Sequence, residues 1–371
     1  MFCATSMGDV MKSSRRDFVK GAVALSVSAG LFNGAALSHS VESVKAGEGR
    51  NTPLGFDNFS LKTTQWKAGK IMEWAESQKV DCILFSDLEV YESLEESYFR
   101  DLKKKADDLG LFLYVGGLSV CPSSKMFNDK YGTAEEFLRL LIKIAGYLGS
   151  PVVRCVLGSR DDRYAKGGIW TPIRDMVDVL KRVRTRALDA GVKIAVENHA
   201  GDMQAWELAR LVETAGRDFV GVTIDPGNAV WALEDPMTNL EVLAPYVQTT
   251  GIRDSAVWET EKGLCCQWTA MGEGNTGMEE YMQRFRKLCP HVPCILEIIS
   301  GFNYEMPYLE EDHLKLWPEL HGVGLARLIK IAKTCKPKKP ADNAWTPEYQ
   351  IPQLEASIRY CREKLGLGNK K

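Results

Sequence analysis

Three carboxylates stand at matching places in this sequence. Glu197, Asp225 and Glu297 each end a short apolar run, in Ala195-Val196-Glu197, Thr223-Ile224-Asp225 and Ile295-Leu296-Glu297. Runs of this kind read as strands buried on both faces, so each acid falls where a strand gives way to a loop. Acids gathered at one such edge repel each other and raise their own pKa values unless a cation lies between them. A divalent metal ion answers that need, and an oxygen donor set favours Mg2+ or Mn2+ over Zn2+. Singly, each acid could as well be a surface ion pair or a helix cap; recurrence in near units gives the pattern its weight. Other polar residues accompany the acids. His199 and Asn228 follow closely behind two of them, while Arg154 and Arg253 lie in apolar runs, where an unpaired guanidinium is costly. These arginines either pair the acids or orient substrate oxygens.

The acids converge only if their runs are strands of one sheet. From Pro53 onward the chain alternates β-rich runs with longer amphipathic segments. The expected strands are Leu54–Phe59, Cys82–Ser86, Phe112–Leu118, Val152–Gly158, Lys193–Glu197, Val220–Asp225, Val247–Asp254 and Cys294–Ile299. The expected helices are Thr64–Gln78, Leu94–Leu109, Ala134–Leu148, Pro172–Ala190, Gln204–Ala215, Leu240–Tyr246, Met278–Leu288 and His313–Thr334. Gly110, Gly149, Gly191 and Gly216 close helical segments, Thr133 with Glu136 makes a capping box, and Thr171-Pro172 reads as a cap followed by proline. Eight such units over roughly 280 residues predict an α/β protein, a single-domain (β/α)8 TIM barrel over residues 53–334. An open doubly wound sheet competes less well, because the first βα turns carry no GxGxxG fingerprint. In a barrel, chemistry sits at the C-terminal strand ends, where the acids fall. Residues 335–371 form an extension: a basic, Pro-rich linker at Lys336–Pro340, then a surface helix over Pro352–Leu365. Between the seventh and eighth strands, Ala256–Met271 reads as a β-hairpin carrying Trp258, Gln267 and Trp268.

The composition agrees. The chain has 371 residues, 45% hydrophobic and 26% charged, with a formal net charge of −2, which suits a folded core and excludes a disordered chain. Without a basic excess, binding to nucleic acid by charge is not expected. Ser13–Lys20 reads SSRRDFVK and precedes the uncharged run Gly21–Leu37. Residues 1–40 therefore read as a signal peptide of the twin-arginine type, and the expected location is the periplasm. The apolar run is marginal for a membrane span and no cysteine follows it closely, so no stable membrane anchor is expected. Of ten cysteines, one (Cys3) lies in the signal, and the odd remainder cannot all pair. Cys82, Cys121, Cys155 and Cys294 read as buried thiols, and the adjacent Cys265-Cys266 suits neither a zinc knuckle nor a redox CxxC.

From Pro53 to Thr334 the chain resembles the xylose isomerase-like TIM barrels, also called the sugar phosphate isomerase/epimerase superfamily. The resemblance is carried by ENH at Glu197–His199, DPGN at Asp225–Asn228, IRDS at Ile252–Ser255, GEG at Gly272–Gly274 and LE at Leu296–Glu297. It implies one divalent ion held by Glu197, Asp225 and Glu297, with the two glutamates serving as acid and base. The resemblance breaks on strand seven, where Gly251 stands in place of the histidine ligand common in the family. Water, His199 or Gln267 is then expected to complete the shell. The implied chemistry is proton removal beside a carbonyl of a keto sugar, with the ion stabilising an enediolate. Epimerisation, isomerisation and elimination of a glycosidic group all pass through that intermediate, so a 3-keto-glycoside lyase or deglycosidase is the alternative. His199, Asn228, Arg253, Arg154 and Trp258 are the expected contacts to a small carbohydrate, with His199 also expected to assist proton transfer and with Trp258 and Trp268 either stacking on the sugar or packing the hairpin. An exported enzyme would meet keto sugars rather than sugar phosphates, and a sugar 3-dehydrogenase could supply them. A homo-oligomer is compatible with the sequence. Two other classes stay in view: a non-catalytic sugar-binding barrel, motivated by Gly251, and a DNA-repair endonuclease of the same barrel type, opposed by the scarcity of histidine.

Overall fold

The computed structural model describes residues 51–370. The expected export signal lies outside the described residues. Among the described residues eleven strands are formed: β1 (Leu54–Asp57), β2 (Cys82–Phe85), β3 (Phe112–Ser119), β4 (Val152–Val156), β5 (Lys193–Glu197), β6 (Val220–Ile224), β7 (Val247–Thr250), β8 (Asp254–Thr260), β9 (Gly263–Thr269), β10 (Cys294–Leu296) and β11 (Asn303–Met306). Eight of them pair in parallel in the order β10-β1-β2-β3-β4-β5-β6-β7. The ring is drawn shut by a parallel bridge between Ile252, just past β7, and Leu296 of β10. This is a (β/α)8 barrel, and all eight expected barrel strands take part in it.

The helices are α1 (Ala68–Ser77), α2 (Glu96–Asp108), α3 (Ala134–Leu148), α4 (Trp170–Asp189), α5 (Ala205–Ala215), α6 (Pro226–Trp231), α7 (Pro236–Leu243), α8 (Met278–Leu288), α9 (Glu311–Leu314), α10 (Gly322–Ala332) and α11 (Pro347–Glu363). Local chemistry sets many of their limits. Thr133 and Glu136 close the expected capping box at the start of α3, and Gly149 ends the helix with a positive φ of 71°. The Thr171-Pro172 cap is displaced: α4 begins at Trp170, so Pro172 sits in its first turn, where a missing N–H leaves no intrahelical bond unmade.

The largest departure is in the C-terminal third. The segment expected as one helix over His313–Thr334 is split into α9 and α10, and α10 packs on β8. The final helix is not a surface appendage. Its residues Leu354, Ile358 and Cys361 are fully buried in the main core, and it packs on β10 and the turn after β1. It thus takes the eighth-helix position of the barrel, which sequence order had given to 313–334. The hairpin after β7 is present as β8 and β9, extended by β11 into a three-stranded antiparallel sheet. All nine cysteines of the described residues are free thiols, most of them buried. No described helix is long and apolar enough to cross a membrane.

Candidate active site

Successive strands deliver charged side chains of both signs to the C-terminal mouth. Around the barrel come Arg154 on β4, Glu197 on β5, Asp225 after β6, Arg253 after β7, Glu297 after β10 and Asp57 on β1. All six are at least nine-tenths buried. Glu197, Asp225 and Glu297 each offer an oxygen within 4.8 Å of the others, a spacing that could hold a divalent ion. The expected convergence of these three acids is therefore real.

Their counter-charges are also in place. Arg154 Nε donates to Glu197 Oε2 at 2.5 Å, and its Nη1 donates to the Gly117 carbonyl at 3.0 Å. Arg253 Nη2 lies 2.6 Å from Asp225 Oδ2 and 2.5 Å from Glu297 Oε2, spanning both acids. Asn228 Nδ2 donates to Glu197 Oε1 at 3.1 Å and to Asp225 Oδ2 at 2.7 Å. Asp225 also caps α6, accepting from the backbone N–H of Gly227 and Asn228. Of the two roles left open for the arginines, pairing the acids is the one observed.

Asp225 is saturated with donors and Glu197 has a partner on each oxygen. Glu297 differs: apart from the Arg253 contact, its Oε2 makes no hydrogen bond. Burial works against its carboxylate, but the guanidiniums of Arg253 and Arg154 outweigh burial and hold the group below its usual range. His199 is only partly buried. Its Nδ1 lies 2.6 Å from the Gly158 carbonyl, which can only accept, so the proton is on Nδ1 and Nε2 keeps a lone pair. Burial lowers the ring's pKa against the pull of Glu197, leaving a neutral imidazole at pH 7.

The hairpin corrects two expectations. Trp258 pairs with Cys265 and Gln267 with Ala256, so all four project from one face of the β8–β9 ribbon. That face is covered by the C-terminal extension: Trp258 packs near Cys335, and Gln267 Nε2 donates to Asn303 Oδ1 and the Lys339 carbonyl. Neither residue joins the acid cluster. Trp268, one position on, projects the other way and lays its ring 4.1 Å from the Arg253 guanidinium. Arg163, from the loop after β4, is likewise structural: it pairs with Glu207 through two bonds of 2.8 Å.

Two site residues escaped the sequence reading. Asn198 locks the strand ends together, donating to the Asp225 carbonyl and accepting from the Asp225 N–H. Asp57 ends β1 as the other acids end theirs, a signal that was available but fell inside the run Leu54–Phe59. Burial, reinforced by Glu297, pushes the Asp57 carboxyl up to about 8. An unfolded aspartate titrates near 3.8, so between these limits the folded chain holds an extra proton and loses stability as pH rises. The melting temperature is expected to fall from pH 5.5 to pH 8, and to fall less in Asp57→Asn. An equal fall in both proteins would show that Asp57 ionises normally.

The chain belongs to the xylose isomerase-like TIM barrels, whose family model matches residues 70–317. Several solved structures share the fold. D-psicose 3-epimerase is 16% identical, with 85% of this chain and 99% of that one covered and a TM-score of 0.56. A probable 3-DHS dehydratase, AsbF of Bacillus anthracis, is 10% identical, covering 84% and 99%, with a TM-score of 0.55. The IOLI protein with a bound zinc atom is 16% identical, covering 76% and 95%, with a TM-score of 0.51. A comparison with curated protein sequences finds no match.

The family and the oxygen donor set thus point to a divalent ion, but the arrangement of this chain fits one poorly. Asp225 Oδ2 and Glu297 Oε2 already share one guanidinium nitrogen, and the position that would add a protein ligand from strand seven is Gly251. An ion and the Arg253 side chain would compete for the same oxygens.

Proposed function

We propose that this protein is a sugar isomerase/epimerase-like enzyme that removes a proton beside the carbonyl of a keto sugar. Glu297 carries the reading: a buried carboxylate held ionised by Arg253 and Arg154, with an oxygen short of partners. In the reaction, the substrate C–H proton passes to Glu297 and the bond's electron pair moves onto the neighbouring carbonyl oxygen. The enediolate so formed needs positive charge nearby, which Arg154 and Arg253 bring in a water-poor setting. Glu197, on the other side of Asp225, takes up a proton from solvent and passes it to the enediolate, and delivery to the opposite face gives the epimer. His199 accepts a hydrogen bond from a substrate hydroxyl through Nε2, and Asn228 orients Glu197 and Asp225. The fold's likeness to sugar epimerases supports the substrate class.

A second reading, elimination from a 3-keto-glycoside, has its own support. Trp268, Phe302, Trp345 and Phe59 form a chain of edge-on or tilted contacts at 6.2, 5.9 and 6.3 Å on the mouth side. A cavity of about 200 Å³ lined by Phe59, Leu118 and Phe137 also includes Gly117, whose carbonyl holds Arg154. These surfaces suit an aromatic aglycone. There the same carbanion would expel the C1 oxygen with its bonding pair, and the leaving oxygen would take the proton that Glu297 had removed. Export to the periplasm and a dehydrogenase that supplies the keto group belong to this proposal. Product analysis on ketohexoses and on aryl 3-keto-glucosides tests both. A new epimer or aldose supports the first reading, and released aglycone supports the second. No conversion of either class by folded protein would defeat both.

A further inference from the structure

We propose that Arg253 is the built-in cation of this barrel: its guanidinium occupies the place between Asp225 and Glu297 where a divalent ion would bind, and the site works without a metal. The inference rests on the proton-transfer reading above and names the electrophile of that site.

The structure is shaped around this side chain. Arg253 is 2% exposed, and an unpaired buried guanidinium would be prohibitive, so the contacts at 2.6 and 2.5 Å are what make its burial tolerable. Its stem passes over Gly227, where a Cβ would collide with Arg253 Cγ and Cδ. Its planar head lies on Trp268, whose ring stacks on Trp231 at 4.2 Å, which in turn stacks on Tyr304 at 3.5 Å. Arg160 closes the far end of the stack, 4.8 Å from the Tyr304 ring. Gly251 supplies the complementary gap. A Cβ there would stand 3.2 Å from Glu297 Oε2 and 3.5 Å from Asp225 Oδ2, so any side chain would grow into the space between the acids. A histidine at that position would reach the same oxygens as the guanidinium.

An independent observation points to a ligand. Arg253 Nη1 and Nε are buried and have no hydrogen-bond partner among the described residues. Native structures rarely leave such donors unsatisfied. A carbonyl or enediolate oxygen would satisfy them, and the guanidinium would then stabilise negative charge as it develops. It cannot dissociate as an ion can, and it stays charged at any working pH.

The test is metal binding, which can be read without turnover. EDTA-treated protein is titrated with Mn2+, and separately with Zn2+, by calorimetry, and melted with and without each ion. The expectation is no stoichiometric binding, an unmoved melting temperature, and turnover indifferent to EDTA. One tightly held equivalent of either ion, or activity that EDTA removes and Mn2+ restores, would overturn the inference while leaving the sugar chemistry intact. Absence of turnover together with absence of binding would count against the proposed reaction instead. The double variant Gly251→His/Arg253→Met should gain one ion site at least roughly 100-fold tighter than the wild type, a scale that even outer-shell partners command. A folded double variant that gains no site would show that the guanidinium does not stand where an ion would. If it fails to fold, the wild-type titration decides.

Discussion

Replacing Glu297 with glutamine is expected to reduce turnover by about 10²–10⁴-fold, the usual contribution of a positioned general base. Glutamine keeps the volume and leaves an amide oxygen for Arg253 Nη2, so the fold should survive. It cannot accept the substrate proton. The effect should fall on kcat more than on KM, because the carboxylate acts on a proton in flight rather than on bound substrate. Glu197→Gln should behave differently according to the product. It should impair epimerisation, which needs a second proton donor, more than elimination, which does not. Activity of Glu297→Gln within a few-fold of wild type would remove Glu297 from the chemistry, and its ionised state between two guanidiniums would need another explanation.

The second large effect concerns stability. Arg253→Met is expected to cost about 3–5 kcal/mol, as the loss of one partner from a buried ion pair does. The side chain spans Asp225 and Glu297 with one nitrogen, so its removal strands two buried carboxylates together. Glu297 then moves from below its unfolded value to above it, while Asp225, already pushed up to about 8 by burial, rises further, so the folded variant binds more protons than the unfolded one. Its stability should therefore fall as pH rises through that range, and the deficit against wild type should be smaller at pH 5 than at pH 8. Urea unfolding at both pH values measures this. A loss below about 1 kcal/mol, the range of exposed pairs, would mean that water reaches the cluster.

How much of this could be read beforehand depends on the range of the interaction that fixes each feature. The barrel strands and many helix limits are set locally. The capping box at Thr133 and Glu136 and the glycine at 149 bound α3 at Ala134–Leu148, as the sequence implies, and α8 likewise spans Met278–Leu288. The place of the eighth helix is not local: α10 and α11 are both amphipathic, and only the packing of Leu354, Ile358 and Cys361 on the barrel decides between them. The acids were legible because a carboxylate ending a buried strand is conspicuous on any face. Trp258 and Gln267 were misplaced because side-chain direction on a ribbon depends on pairing register, and a shift of one residue exchanges the two faces. Arg253 was legible as a buried charge in need of a partner, but its bridging of two acids depends on Gly227 and Gly251 leaving room, which no spacing along the chain reveals.

Proton exchange is the most direct measure of the central claim, that this carboxylate cluster removes a proton beside a sugar carbonyl. Wild-type protein and Glu297→Gln would be incubated in D₂O with a ketohexose and with an aryl 3-keto-glucoside, and the sugar carbons followed by NMR. The account predicts that wild type replaces one C–H beside the carbonyl with C–D, in retained sugar or before release of the aglycone, while Glu297→Gln does so at the uncatalysed rate. Retention of that hydrogen in both sugars by folded wild-type protein, or equal exchange by both proteins, would contradict it.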